Sequence, residues 1–378
     1  MKRLSRKTLF VAVGVVAGAA ISLNGSLALR AAAISTSTSR IVTETSIKTS
    51  IKTSIVPTKW RQFVAWKLSD GRTQALVVPA IGRVMSYGLV GGRNWLWQST
   101  LAETNAAMKN LKNWHGWGGA QLWLAPQGFW SAISDSGSSW PPDFTWDHPS
   151  FPHSHRVLED GFFRIISPIS PRSGSRLVRD FGFHNGDFVV RQTVEKVSGA
   201  PLMASLWSVT GIGETDLNVL PINRQSVYRN NYHLYGAQSP NVRRDIVAAV
   251  RAQVSDDLLL VRRGQVPALK IGVDSPIAAI AAIRDGEVLV QRANRQSGEY
   301  PDGAAEAGFP VEWYDGGNKP GARAYSELEL LSPLRLLQKG ARWTQSVHWN
   351  VHALPVKTAP NAPANLNAIR RWFRAPLK

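Results

Sequence analysis

From about residue 60 the chain is written in short runs that alternate apolar and polar positions, the period-two signature of strands with one buried face. Residues 176–184 and 187–197 alternate around Asn185-Gly186, and residues 277–284 and 287–291 do so around Asp285-Gly286. Asn-Gly and Asp-Gly tolerate positive φ at both central turn positions, so the pattern predicts two tight hairpins. The same reading predicts strands over 75–87, 121–125, 162–166, 202–210, 258–262, 268–273, 311–314 and 324–331. In residues 344–354, Val347, Trp349 and Val351 alternate with His348, Asn350 and His352, which places those histidines on the solvent side. Helical spacing is found in only two places, 101–111 and 366–373. Many short strands with tight turns and few helices predict an all-β sandwich. No boundary interrupts residues 58–355, so one very large sandwich is expected there rather than two domains.

Different patterns flank that body. Residues 1–33 read as a signal peptide: Lys2, Arg3, Arg6 and Lys7 precede an apolar stretch over 9–23, and small residues at 26–28 or 31–33 offer cleavage points. The apolar run falls short of the ~20 residues that a membrane span needs, and Arg30 ends it. Left uncleaved, the same segment is an anchor. Ser5-Arg6-Lys7-Thr8-Leu9-Phe10 also resembles a twin-arginine signal with Lys at the second Arg. Either route predicts an extracytoplasmic protein, periplasmic or secreted. Residues 34–57 are rich in Ser and Thr and repeat Ser-Ile-Lys-Thr at 46–49 and 50–53. Such a stretch buries too little apolar surface to offset its ordering entropy, which predicts a disordered tether; an edge strand with alternating Ile is the competing reading. Residues 356–378 combine a Pro/Asn/Ala linker with a helix that sets Leu366, Ile369, Trp372 and Phe373 opposite Arg370, Arg371 and Arg374. A basic amphipathic helix of this kind either touches an anionic membrane or wall surface or packs back onto the sandwich.

Composition narrows the chemistry. The 378 residues include no cysteine, which excludes disulfides, Cys-ligated metals and a thiol nucleophile. The net charge of +18 overstates the basicity of the body, because eight bases and one acid lie in residues 1–57 and leave +11 for the rest. Together with export, that thin excess points to acidic glycans or lipid surfaces and to no nucleic acid partner. The chain has no G-x-S-x-G elbow, no phosphate-binding loop and no H-E-x-x-H, and Gly211-Ile212-Gly213 stops short of a dinucleotide fingerprint. No cofactor is expected. Asp143, Asp147, His148, His153 and His155 crowd together, but no spacing among them is diagnostic of a metal, and a polar loop is the expected explanation.

The aromatic distribution is more informative. Ten of the 15 tryptophans lie between Trp60 and Trp146. Among them runs Asn113-Trp114-His115-Gly116-Trp117-Gly118-Gly119, followed by Trp123, Gln127, Trp130 and Trp140-Pro141-Pro142-Asp143. Flat aromatic faces bordered by amides and an imidazole suit a pyranose, whose C–H face packs on a ring while its hydroxyls need hydrogen bonds. Gly and Pro between the rings indicate loops, where binding residues concentrate. Further along, Tyr325, Glu327 and Glu329 share one face of a predicted strand, with Leu328 and Leu330 on the other. If the polar face lines a cleft, one glutamate can act as a base with a raised pKa; the pattern does not choose between them.

These segments carry a family resemblance. Residues 75–84, ending Pro79-Ala80-Ile81-Gly82-Arg83-Val84, resemble the opening strand of galactose-mutarotase-like proteins (the aldose 1-epimerase superfamily). Asn113-Trp114-His115-Gly116 is similar to their sugar-binding His segment, and residues 325–333 resemble the strand with their catalytic Glu. The Gly-Gly-x-x-x-Trp-x-x-Pro-Gln and Trp-Pro-Pro-Asp runs bring the chain nearest an uncharacterised bacterial domain family within that superfamily. The resemblance spans roughly residues 60–354 and implies the very large β supersandwich already read from the strands. It also implies that His115 binds the sugar while Glu327 or Glu329 serves as base, and with the aromatic run read above the candidate binding set is Arg83, His115, Trp114, Trp117, Trp123, Gln127 and Trp140. One departure stands out: the strand that should carry the general-acid His reads Leu202-Met203-Ala204-Ser205-Leu206-Trp207-Ser208-Val209. Anomer interconversion needs both a base and an acid, so an acid would have to come from elsewhere, with His184 and His233 as candidates. The expectation is therefore an exported carbohydrate-binding protein whose catalytic activity is unproven. Its alternatives are an active aldose epimerase or related carbohydrate-modifying enzyme, and an envelope scaffold for anionic polymer.

Overall fold

A computed structural model describes residues 53–133, 137–235, 252–264, 269–302, 308–316 and 325–377. The expected signal peptide and most of the expected tether lie outside them. The described strands form two antiparallel sheets. The eleven-stranded sheet runs β1 (Ser54–Trp60), β2 (Phe63–Ser69), β3 (Thr73–Val78), β4 (Arg83–Leu89), β5 (Ala120–Ala125), β10 (Leu202–Ile212), β19 (Ser326–Leu331), β18 (Val311–Asp315), β15 (Leu269–Val273) and β12 (His233–Leu234), with β20 (Arg335–Leu337) paired to β10. The ten-stranded sheet runs β13 (Gln253–Ser255), β14 (Leu258–Val261), β11 (Leu217–Pro221), β16 (Ala278–Arg284), β17 (Glu287–Ala293), β21 (Arg342–Ala353), β9 (Asp187–Lys196), β8 (Ser175–His184), β7 (Phe163–Ile166) and β6 (Ser154–Val157). Both predicted hairpins form, at Asn185-Gly186 between β8 and β9 and at Asp285-Gly286 between β16 and β17, with positive φ at all four turn residues.

The inward faces of the two sheets make one core. Ile271, Trp313, Leu328 and Leu330 of one sheet are buried with Phe181, Val190, Leu289 and Trp349 of the other. Each such large apolar side chain contributes about 1.5–3 kcal/mol on burial. A buried tyrosine ties the layers together, its hydroxyl donating from Tyr87 to the Trp349 carbonyl at 3.0 Å.

Three sequence expectations are corrected. The single strand expected over 75–87 is two, β3 and β4, folded against each other across a helical turn at Pro79–Ile81. Pro79 has no N–H to give the ladder, and Gly82 takes the left-handed conformation that reverses the chain. The strand β1 starts at Ser54, inside the segment read as a tether, so the competing edge-strand reading holds for residues 54–57. It is extended by pairing with β2 along its whole length.

The third correction concerns the histidines of β21. His348 is buried, and the His352 ring stacks on Trp372 with centroids 4.3 Å apart. His352 thus lies under the C-terminal helix, which packs on the outer face of the ten-stranded sheet, whereas His348 sets its Nδ1 3.4 Å from the Asp187 carboxylate. The described α-helices are α1 (Leu101–Met108), α2 (Trp130–Ile133), α3 (Phe144–Asp147) and α4 (Pro363–Arg374). Leu366, Ile369 and Phe373 of α4 are buried against Val219, Leu260, Ala281 and Val290. Arg370 and Arg374 both reach Asp257, at 2.7 and 2.6 Å. The apolar face and two of the three arginines are therefore spent on the sandwich, which is the packed-back alternative. Among the described residues no helix is long and apolar enough to cross a membrane.

Candidate functional site

Strand alternation that buries Leu328 and Leu330 turns Tyr325, Glu327 and Glu329 to the opposite face of the eleven-stranded sheet. Register then decides their neighbours. Glu329 lies opposite Glu312 of β18 and Val209 of β10, and Glu327 lies opposite Tyr314 and Gly211. Tyr314 is in turn opposite Lys270 of β15. Gly211 has no side chain to cover Glu327, and the next strand continues the gap with Gly119, whose carbonyl accepts from Gly211 N. Above this face opens a cleft of about 450 Å³, a size typical of small-molecule sites.

One wall is aromatic. Trp97, Trp114, Trp123, Trp140 and Trp207 line the cleft with Arg83, Gln121 and Gln127. The Trp-Gly-Gly run supplies its bend: Gly118 and Gly119 have φ of 81° and 75°, and a Cβ on either would come within 2.3 Å of a backbone carbonyl. Asp147, at the end of α3, is fully buried and organises this wall. Its carboxylate accepts from Arg83 Nη2 at 2.5 Å, Trp123 Nε1 at 2.9 Å and Trp114 Nε1 at 3.1 Å. Arg83 is also buried and donates through Nη1 to the Gly118 carbonyl and Gln121 Oε1, both at 2.8 Å. Trp140 packs edge-on to Trp114 at 4.8 Å and is 48% exposed, so it forms the lip of the cleft.

Beside Trp207 the cleft holds a buried charge cluster. Lys270 Nζ lies 2.6 Å from Glu312 and 3.0 Å from Glu329, and sits over the Trp207 ring at 4.3 Å. Trp207 Nε1 donates to Glu329 at 2.6 Å, and the Tyr235 hydroxyl donates to Glu312 at 2.6 Å. Burial alone would lower the Lys270 pKa, but the two carboxylates outweigh it and hold the ammonium charged. Burial raises Glu312 to about 7, partly offset by Lys270, and raises Glu329 for the same reason. Glu327 differs. Its carboxylate keeps access to the cleft, and among the described residues no hydrogen bond or ion pair satisfies it. Burial raises its pKa to about 7 against the opposing fields of Lys270 and Arg83.

The structure thus brings together Arg83, Trp114, Trp123, Gln127, Trp140, Glu327 and Glu329 from the sequence-derived set. Two others fall outside the cleft lining. Trp117 is buried against Phe63 in a separate apolar cluster, and His115 is half-buried with its ring 4.8 Å from Trp117. Burial lowers the His115 pKa. Neither substitute acid lines the cleft: His184 ends β8 in the other sheet, and His233 stacks on Phe309. Of the crowded Asp and His residues, Asp143 caps α3, His153 is buried beside Gly82, and His155 packs on Trp66 and Phe163. Among the described residues no group of three or more His, Asp or Glu is placed to hold a metal ion.

Sequence reading missed Lys270, Glu312, Tyr235, Tyr314 and Trp97, and missed the role of Asp147. Lys270 and Glu312 are polar positions within short strands, a signal that ordinary solvent-facing positions also give. Only the register of β15, β18 and β19 shows that they meet.

No family model matches the chain, and no curated protein matches it. Solved structures do. An aldose 1-epimerase candidate from Klebsiella pneumoniae superposes with a TM-score of 0.53 at 9% identity, over 84% of this chain and 91% of that one. A second such candidate, from Escherichia coli K12, gives a TM-score of 0.49 at 10% identity over 80% and 100% of the two chains. A galactose mutarotase-like protein from Lactobacillus casei gives 0.46 at 9% identity over 79% and 100%. Identity this low speaks to the backbone alone. Two large antiparallel sheets in this topology, with the Klebsiella superposition, give the chain the galactose mutarotase-like β-sandwich fold.

Proposed function

We propose that the cleft binds a sugar ring and that the protein is an exported carbohydrate-binding protein. The observation that carries the reading is the aromatic wall: two indoles fixed by Asp147, a third at the lip, and amide and guanidinium donors between them. A pyranose offers apolar C–H faces and a rim of hydroxyls, and this wall offers the complement of both. The fold supports the reading, since the Klebsiella structure that shares it is described as an aldose 1-epimerase candidate. Export rests on the sequence of residues 1–33, which lie outside the described residues. Calorimetry on the full chain against a panel of aldoses and short glycans tests the binding. Saturable heats at millimolar sugar or below are expected, and none across the panel would remove the proposal.

A second reading, anomer interconversion, is favoured by one observation, the unpartnered Glu327 with its pKa near neutrality. Such a carboxylate takes the proton from O1–H as the C1–O5 bond opens, and returns it after the carbonyl face turns. The ring oxygen must gain a proton in the same step. Lys270 is the cation beside Glu327, and Glu312 and Glu329 hold it protonated, so it serves as a fixed positive charge rather than a ready acid. No histidine lines the cleft among the described residues. Binding without rapid interconversion is therefore the reading the geometry supports best. Exchange spectroscopy on aldose anomers decides: catalysed exchange that Glu327→Gln abolishes would establish the enzyme.

A further inference from the structure

Charge inside the cleft bears on which sugar it takes. The two cations that line the cleft among the described residues are already matched. Arg83 is bound to Asp147, and Lys270 to both Glu312 and Glu329. An anionic substituent entering here would meet cations already paired with carboxylates and would face Glu327 as well. A uronate or a sugar phosphate is thus opposed, although the excess of Arg and Lys over the whole chain suggests the reverse.

The Lys270 pocket shows what this wall is built to hold. An ammonium rests there between carboxylates and the face of an indole, Trp207. Two positions along β19 the ingredients recur. Glu327 stands beside Tyr325 on its own strand and opposite Tyr314. Trp97 lies against Tyr325 with centroids 4.9 Å apart, and Tyr314 is 6.2 Å from Tyr325 on its other side. All four line the cleft. Here, however, no side-chain ammonium of the described residues completes the arrangement, and Gly211 and Gly119 leave the approach to Glu327 uncovered. A carboxylate with aromatic side chains beside it is matched by a cation, which gains an ion pair and is placed for ring contacts.

We propose that the cleft selects a sugar bearing a free primary amine, a protonated amino sugar, with the ammonium seated on Glu327 among Trp97, Tyr314 and Tyr325. This rests on the sugar-binding reading above and adds the substituent that the site discriminates. Burial that disfavours an ionised, unpartnered Glu327 is relieved when the ammonium arrives, so binding itself draws the carboxyl into its charged form. N-acetylation removes the charge and leaves a buried carboxylate without its partner, which makes the acetylated sugar a poor ligand rather than a neutral substitute.

Calorimetry of the full chain near pH 7 with glucosamine, N-acetylglucosamine, glucose and glucuronate tests this. Glucosamine is expected to bind about tenfold or more tighter than the other three, the size of one charge-assisted hydrogen bond. Its advantage is expected to shrink at high salt, and Glu327→Gln is expected to bring glucosamine level with N-acetylglucosamine. Equal affinities in the native chain, or tightest binding of glucuronate, would overturn the amine assignment while leaving sugar binding in place. Binding of none of the four or of a wider aldose panel would overturn both. The comparison within the native chain stands even if the variant folds poorly.

Discussion

Asp147→Asn isolates the electrostatic frame of the cleft, because the amide keeps the volume of the carboxylate and removes only its charge. Asp147 and Arg83 are 0% and 1% exposed in their side chains, and their closest atoms are 2.5 Å apart. Arg83 keeps its bonds to the Gly118 carbonyl and Gln121, neither of which carries a charge. The substitution therefore leaves a buried guanidinium without a counter-ion, and it turns an N–H group toward a site that now accepts three donors. Breaking a buried pair by removing one partner costs about 3–5 kcal/mol. Unfolding entropy of about 2.1 cal/mol/K per residue over the roughly 290 described residues is about 0.6 kcal/mol/K, so Tm should fall by about 5–8 °C. Urea denaturation followed by tryptophan emission reports the loss, since Trp114 and Trp123 bond the altered group directly. Arg83→Met combined with Asp147→Leu removes both charges and should recover much of the stability, as apolar replacement of a buried pair often does. A single variant within about 1 kcal/mol of the native chain would refute the assignment of Asp147 as the counter-charge.

Other expectations follow from the same structure. Glu312 has its folded pKa raised by burial to about 7 from 4.5, so its contribution is fully present below pH 4.5 and is lost as pH rises through 7. Relative to Glu312→Gln, the native chain should therefore be less favoured at pH 8 than at pH 5, and equal urea midpoint differences at the two values would contradict this. Buried His153 and His352 act in the opposite sense, with pKa lowered by burial to about 3 and about 4, and the comparison between variants cancels them. Trp123→Ala should cost about 3–5 kcal/mol of stability as a large-to-small core change, whereas Trp140→Ala at the exposed lip should cost far less and weaken sugar binding about tenfold or more. The reverse ranking in paired denaturation and calorimetry would show the lip and the core exchanged. Ile369→Ala on the buried face of α4 should cost about 2–5 kcal/mol and raise exposure of the sheet beneath to hydrogen exchange; unchanged stability would mean that the helix is not docked.

The amino-acid sequence by itself determined the class of the fold, because alternation and Asn-Gly or Asp-Gly turns are local properties that act within a few residues. Both predicted hairpins and the strands that meet in the cleft are of this kind. It also pointed to the aromatic wall, since Trp114, Trp123 and Trp140 are close in the chain. It did not reveal that Trp117 faces a core, because one turn of loop backbone decides which side of a wall a ring takes. Nor did it show that His352 is covered, because the cover is a helix that follows β21 and folds back over it, or that His348 is buried beside Asp187 of the neighbouring strand. Whether Glu327 or Glu329 is the free carboxylate was likewise undecidable from alternation, which puts both on one face. Tertiary structure alone decided that. Lys270 comes from β15, several strands earlier in the chain, and Glu312 from the strand before β19, and their register gives Glu329 its partners and leaves Glu327 without one. Coulomb energy and desolvation depend on distance and burial rather than on order along the chain, so the chemistry of the cleft appears only when the sheet is assembled.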